Sequence, residues 1–139
     1  MRNTGIIRKV DELGRIVIPS TLRETLKINT GCQFEVYTDS DYIILEKYNN
    51  EEKRNKGAIL RIVDELGRLV IPMEIRENYE IYEKTELEIY LEKDIIILKK
   101  HETTCVFCNE TRKLKKFKEK LVCLKCIHKL LLENEEQEK

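Results

Sequence analysis

Four cysteines carry the clearest chemistry in this sequence. Cys105 and Cys108 form one C-x-x-C, Cys123 and Cys126 form a second, and fourteen residues separate the two pairs. Zinc takes four ligands at tetrahedral angles, and each C-x-x-C offers two thiolates from one tight turn. Four thiolates fill the coordination sphere, so the expected cofactor is one structural Zn2+; a catalytic zinc keeps an open position for water. A redox dithiol pair and unpaired thiols are the competing uses of such a set. His101 and His128 flank the cysteines and are expected to be ordinary surface residues outside the ligand set. Cys32 stands apart and is expected to be a small buried or half-buried residue.

Between the pairs, "RKLKKFKEK" holds six basic residues and one acid around Phe117. Arg112, Lys113, Lys115, Lys116 and Lys118 are therefore candidate secondary nucleic-acid contacts. A solvated hairpin facing acidic neighbours would use the same charge differently. Beyond Cys126, "IHKLLLENEEQEK" predicts a helix whose Leu130 and Leu131 give it a modest apolar side. Residues 102–139 have almost no core of their own, so metal binding would supply their folding energy.

A second set of chemically capable residues recurs. "VDELGRIVIP", from Val10 to Pro19, returns as "VDELGRLVIP", from Val63 to Pro72. A shift of 53 aligns the two copies without a gap from Thr4 over Gly57 to Lys47 over Lys100. Arg8, Arg15 and Arg23 thereby fall over Arg61, Arg68 and Arg76. Arg15 and Arg68 each follow a turn glycine at the mouth of a strand, where a planar fork can reach phosphate or a guanine edge. Arg23 and Arg76 adjoin the apolar helix positions Leu22 and Ile75 and should project from the helix flank. Pairing with Asp11, Glu12, Asp64 and Glu65 is the structural alternative for these arginines.

The elements that position them repeat as well. Gly5 to Val10 and Arg15 to Ile18 are β-branched runs joined by "DELG", a turn in which Gly14 can take positive φ. Pro19 suits the entry to a helix over about Ser20 to Lys27. Gln33 to Thr38 and Tyr42 to Lys47 then form a strand pair around an Asp-Ser-Asp turn. The expected layout is repeat 1 over 1–49, a polar linker over 50–56, repeat 2 over 57–101, and the cysteine-bearing segment over 102–139. A repeat of about 45 residues buries too little surface to fold alone, whereas two copies could close a common barrel and remove exposed edges.

Bulk composition narrows the classes. The chain has 26 basic and 26 acidic residues among 139, so any phosphate-binding surface must come from local density. The first repeat carries 7 basic and 7 acidic side chains over 1–49, the second 7 and 10 over 57–101. The absence of a long apolar run or a signal-type segment predicts a cytoplasmic protein without a membrane partner. No nucleophile–base set is visible, which argues against an enzyme.

"TGIIRKVDELGRIVIPSTLRETLKI" resembles the DNA-binding domain of the AbrB and SpoVT bacterial regulators, and "IYEKTELEIYLEKDIIILKK" resembles the end of the same domain. Together they cover roughly residues 1–101. The resemblance implies a mainly β fold with short helices: a swapped-hairpin barrel built here from two tandem repeats, as an intrachain pseudo-dimer or a homodimer. It also implies a transcription regulator binding double-stranded DNA through Arg8, Lys9, Arg15, Arg23, Arg61, Arg68 and Arg76. Glu24 and Glu77 stand where such regulators often place another arginine, and Ile62 replaces Lys9 in the second copy. "CVFCNETRKLKKF" with "LVCLKCI" is similar to the zinc-binding domain of the ClpX unfoldases, implying a small zinc-stapled α+β finger of treble-clef form that binds protein or nucleic acid. Two alternatives share these parts: a MazE-like antitoxin with the same barrel, and an interaction adaptor that binds no DNA.

Overall fold

The computed structural model describes residues 1–48, 57–102, 104–118 and 120–137, the side chains of 134–137 excepted. The linker expected over 50–56 lies outside the described residues. The chain divides into two compact units, Met1–His101 and Glu102–Lys139.

In the first unit, β1 (Arg2–Lys9) and β2 (Arg15–Val17) flank the first DELG turn. The short helix α1 (Ser20–Thr25) follows Pro19, and β3 (Gln33–Asp39) and β4 (Tyr42–Lys47) complete the repeat. The second repeat supplies β5 (Ile59–Ile62), β6 (Arg68–Val70), α2 (Met73–Asn78), β7 (Glu86–Glu92) and β8 (Ile95–Lys100) in the same order.

Pairing crosses between repeats. Six strands form an antiparallel sheet in the order β1-β7-β8-β4-β3-β5, and β2 pairs with β6 as a separate ribbon. Thus β1 lies on the second repeat's hairpin, and β5 lies on the first repeat's. Adding 53 to each first-repeat number turns the strand order into its own reverse. Ile44 pairs with Ile97, and Ile16 with Leu69; both are equivalent positions, so an internal two-fold axis runs through them. The swapped pairing implied by the resemblance is present, and it closes within one chain.

The core follows from this exchange. Phe34, Leu45, Leu69 and Leu87 are fully buried and belong to one apolar cluster drawn from both repeats. Truncating Leu45 or Leu87 to alanine would cost about 2–5 kcal/mol. That is a large part of the roughly 5–15 kcal/mol that holds a domain.

Two boundaries differ from expectation. β1 begins at Arg2 rather than Gly5, because β7 extends its pairing past a register shift between Asn3 and Ile6. α1 ends at Thr25 rather than Lys27: Lys27 turns left-handed (φ 56), and the Ile28 amide donates to the Arg23 carbonyl at 2.8 Å. Lys47 Nζ then donates to the carbonyls of Leu26 and Lys27 at 2.8 and 3.0 Å, a cation where helix polarity favours one. Lys100 does the same for α2 through the Glu80 carbonyl at 3.0 Å.

The second unit is a hairpin, β9 (Leu114–Phe117) with β10 (Lys120–Cys123), running into α3 (Leu124–Gln137). Among the described residues its buried cluster is Cys105, Val122 and Cys123, with Leu114, Cys126 and Ile127 packed against it.

Because β1 and β5 find their partners across the axis, residues 1–48 alone should not form a folded monomer. Sedimentation with circular dichroism checks this. A folded, concentration-dependent dimer or an unfolded chain is expected, and a folded monomer would contradict the pairing.

Candidate functional site

The ribbon determines where the repeated arginines point. Partners across an antiparallel pair share a face, as do alternate residues along a strand. The register Arg15↔Val70 and Val17↔Arg68 therefore puts both arginines on one face, opposite Ile16 and Leu69. Ile16 and Leu69 are buried, while Val17 is 40% exposed, so the arginine face is the outward one.

Each arginine is rooted by the turn before it. Asp11 Oδ1 accepts the amides of Leu13 and Arg15 at 3.0 and 2.8 Å, and its Oδ2 accepts Arg15 Nε at 2.6 Å. Asp64 repeats this for Leu66 and Arg68 at 3.0, 2.7 and 2.6 Å. The acid pairing foreseen as an alternative is present, yet the Arg15 and Arg68 side chains keep 24% and 29% of their surface. Desolvation opposes the charged form of each aspartate, but the amide and guanidinium hydrogen bonds outweigh it and hold both carboxyls below their usual value. Their contribution to stability is therefore present above a pH of about 4 and is lost as the carboxylates protonate in more acid solution. The geometry throws Leu13 and Leu66 outward at the turn tips.

Arg23 and Arg76 do not simply project from the helix flank. Arg23 Nε donates to the Ile18 carbonyl at 2.9 Å, and Arg76 Nε to that of Ile71 at 2.8 Å. Each then lies across the turn glycine of the other repeat. A Cβ built at Gly67 would fall 2.6 Å from Arg23 Cζ, and one at Gly14 would clash with the guanidinium of Arg76. The cause is the ribbon itself, where Ile18 N–H donates to Gly67 and Ile71 N–H to Gly14. Each end of the ribbon thus gathers one arginine from each repeat: Arg15 with Arg76, and Arg68 with Arg23.

The remaining residues of the set lie elsewhere. Arg8 is exposed on the sheet-edge strand β1, and Arg61 is half-buried on the opposite edge, β5. Lys9 is exposed at the end of β1; its counterpart Ile62 is 59% exposed at the end of β5. Arg112 and Lys113 precede β9, Lys115 and Lys116 lie on it, and Lys118 follows it.

The four cysteine thiols come together as the spacing requires. The Sγ atoms of Cys105, Cys108, Cys123 and Cys126 all lie within 4.8 Å of one another. Tetrahedral zinc–thiolate geometry needs sulfur separations of about 3.8 Å, and the Cys108–Cys123 separation is 3.6 Å. Backbone amides of Phe107 and Cys126 donate to the Cys105 and Cys123 sulfurs, each at 3.4 Å. The donor set fits one metal ion. Burial opposes ionisation of Cys105, but amides of Cys123, Cys108 and Phe107 bring its thiol down to about 6. Cys126 is pushed up to about 12, mainly by its hydrogen bond with Cys123. The Cys105 thiolate forms readily, whereas Cys108 and Cys126 need a cation beside them.

His128 is exposed and outside the cluster. His101 departs from the surface role expected of it: its Nδ1 lies 2.8 Å from Glu88 Oε1, and the Tyr90 hydroxyl donates to the same carboxylate. Sequence reasoning missed this trio, because Glu88 and Tyr90 read as ordinary alternating strand residues. Cys32 is half-buried, as anticipated.

The double variant Gly14→Ala/Gly67→Ala tests the cross-repeat clasp. Both glycines have positive φ, 78 and 79, so each alanine should cost about 1–2 kcal/mol in addition to displacing an arginine. Urea denaturation should show a lower midpoint, and an unchanged midpoint would contradict the clasp.

Comparison with known proteins agrees with this architecture. A family model described as "Antidote-toxin recognition MazE, bacterial antitoxin" matches twice, over residues 7–53 and 60–105. The transition state regulatory protein AbrB of Bacillus subtilis is 58% identical over 48 residues, covering 34% of this chain and 50% of that protein. Stage V sporulation protein T of the same organism is 35% identical over 99 residues, covering 68% of this chain and 55% of that protein. The chain spans about half the length of these curated relatives. With one match on each repeat and more than half of its residues covered, the chain belongs to the MazE antitoxin domain family, to which it contributes two copies of the domain.

Proposed function

We propose that this chain is a DNA-binding transcription regulator of the AbrB and SpoVT type. Its ribbon arginines contact duplex DNA, and a zinc-stapled finger adds a further contact surface. The observation that carries the reading is the outward ribbon face, with an arginine pair drawn from both repeats at each end. Two such clusters related by a two-fold suit two equivalent stretches of duplex backbone. This local density answers the neutral total charge. Arg15 and Arg68 make the principal contacts, rooted by Asp11 and Asp64; Arg23 and Arg76 contribute from across the turns. Arg8, Lys9 and Arg61 add to this from the edge strands of the sheet, and repeat 1 with Lys9 is the stronger half. The sequence likeness to a transition state regulator and a sporulation protein supports the same reading.

Zinc, held by Cys105, Cys108, Cys123 and Cys126, would supply a structural cross-link and no reaction. Its role follows from the finger's small buried cluster. A second reading, antitoxin, is favoured by the description of the matching family. Neutralisation of a toxin encoded beside this gene would support it over regulation, whether or not the barrel also binds duplex.

The double variant Arg15→Ala/Arg68→Ala provides the test. Anisotropy with a mixed-sequence duplex from 50 to 200 mM salt should show wild-type affinity falling with salt. If each arginine holds one phosphate, the variant should bind at least about tenfold more weakly, with the log–log slope reduced by roughly 2. Unchanged affinity and slope, or no wild-type binding at low salt, would contradict the proposal.

For the finger, one zinc per chain is expected. Protons compete with metal for the thiolates, so retention should fall as pH is lowered, most steeply below about 6 where Cys105 is protonated as well. Chelation should melt α3 and its hairpin while the six-stranded sheet survives. Unchanged helical dichroism after complete metal removal would contradict a structural role.

A further inference from the structure

The finger carries a surface that its metal does not explain. An open groove of about 1000 Å³ runs between the hairpin and α3. In the hairpin register Lys120↔Phe117 and Val122↔Lys115, these four residues share one face. Ile127, Leu130 and Leu131 stand at i, i+3 and i+4 on α3, so they form one stripe along the same groove. Phe107, from the first knuckle, completes the floor.

Its exposure is unusual for so small a unit. Phe107 is 64% exposed, Phe117 67%, Leu130 51% and Leu131 60%. Contiguous exposed apolar residues rimmed by polar ones are a mark of interaction sites and binding grooves. The described lining holds four lysines and no acidic residue; Lys120 is ion-paired with Glu102 at 2.7 Å, so the exposed Lys115 and Lys118 carry most of the sign.

We propose that this groove docks an acidic peptide segment of a partner protein, one presenting two or more large apolar side chains. The proposal rests on the reading of the finger as a contact surface and is independent of DNA binding by the ribbon. The lysines determine the sign of the occupant's charge, while the aliphatic floor determines its apolar content. Single-stranded nucleic acid satisfies the first condition and not the second. Bases stack on aromatic faces, whereas much of this floor is Leu, Ile and Val. The concave shape suits inserted side chains, and a groove this open suits several of them better than one small molecule. Lys118, 5.6 Å from the Phe117 ring centroid, joins the two features at the rim.

The test is selection of a random 16-residue peptide library on the immobilised, zinc-loaded full chain. Two counter-targets accompany it, Phe107→Ser/Leu131→Ser and Lys115→Glu/Lys118→Glu. All four positions are exposed, and zinc content with circular dichroism verifies that each variant is folded. Enriched peptides should combine Asp or Glu with several of Leu, Ile, Phe and Trp. The best of them, synthesised, should bind the serine variant at least tenfold more weakly. Charge reversal should shift the selected peptides from acidic to basic, an outcome that a merely structural role for the lysines would not produce. The proposal is overturned if nothing enriches, if the enriched peptides are neutral or basic, or if they bind the serine variant equally well. It is also overturned if the serine variant abolishes self-association of the wild-type chain, which makes a second copy the occupant. A reduced salt slope for duplex binding in the charge-reversed chain, without peptide enrichment, would assign the lysines to nucleic acid instead. Loss of duplex binding by the ribbon variants leaves this outcome untouched, so the two readings fail separately.

Discussion

A repeat of this size can complete neither its hydrogen-bond ladder nor its core. The edges of β3 and β7 are satisfied only by β5 and β1 from the other copy, and the two hairpins meet at Ile44 and Ile97. An unpaired strand edge is both a loss of stability and an invitation to aggregate. Exchange of first strands removes two of those inner edges, and it brings the buried residues of both copies into one cluster. The small helices are secondary; each has one buried side chain and is fastened at its end by a lysine from the last strand of its own repeat.

The same exchange creates the candidate site. β2 and β6 are three residues each, too short to persist as an isolated ribbon. Held on the shared core through Ile16 and Leu69, they place Gly14 under Arg76 and Gly67 under Arg23. Neither arginine cluster is encoded within one repeat. Duplication in a single chain also lets the halves differ: Lys9 against Ile62 changes charge at one edge, and the second repeat carries 10 acidic residues over 57–101 against 7 over 1–49. Bound duplex would therefore meet a surface that is two-fold in backbone and unequal in charge.

Much of this was legible beforehand. The offset of 53 aligns every strand of the first unit, and the two C-x-x-C pairs anticipate the thiol cluster. Misreadings arose where a residue's partner was distant in sequence. The start of β1 depends on β7, and the seat of Arg23 depends on a turn more than forty residues away. α1 ends two residues earlier than the sequence suggests because Lys27 takes the left-handed conformation normally signalled by glycine. The partner of His101 is hidden in the sequence, since nothing in "KKHET" reveals Glu88 across the strand pair. The finger's groove was invisible for a similar reason: hairpin register and helix phase must both be known before Phe117 and Leu131 can be put on one surface.

The intrachain two-fold is the central claim, and an isotope-filtered NOE experiment tests it most directly. In a uniformly labelled sample, cross-peaks between Ile44 and Ile97 must be present. In a sample mixed from labelled and unlabelled chains and filtered for contacts between them, those cross-peaks must vanish if the sheet closes within one chain. Their survival in the filtered spectrum would show that the repeats pair between chains, and would contradict the fold described above.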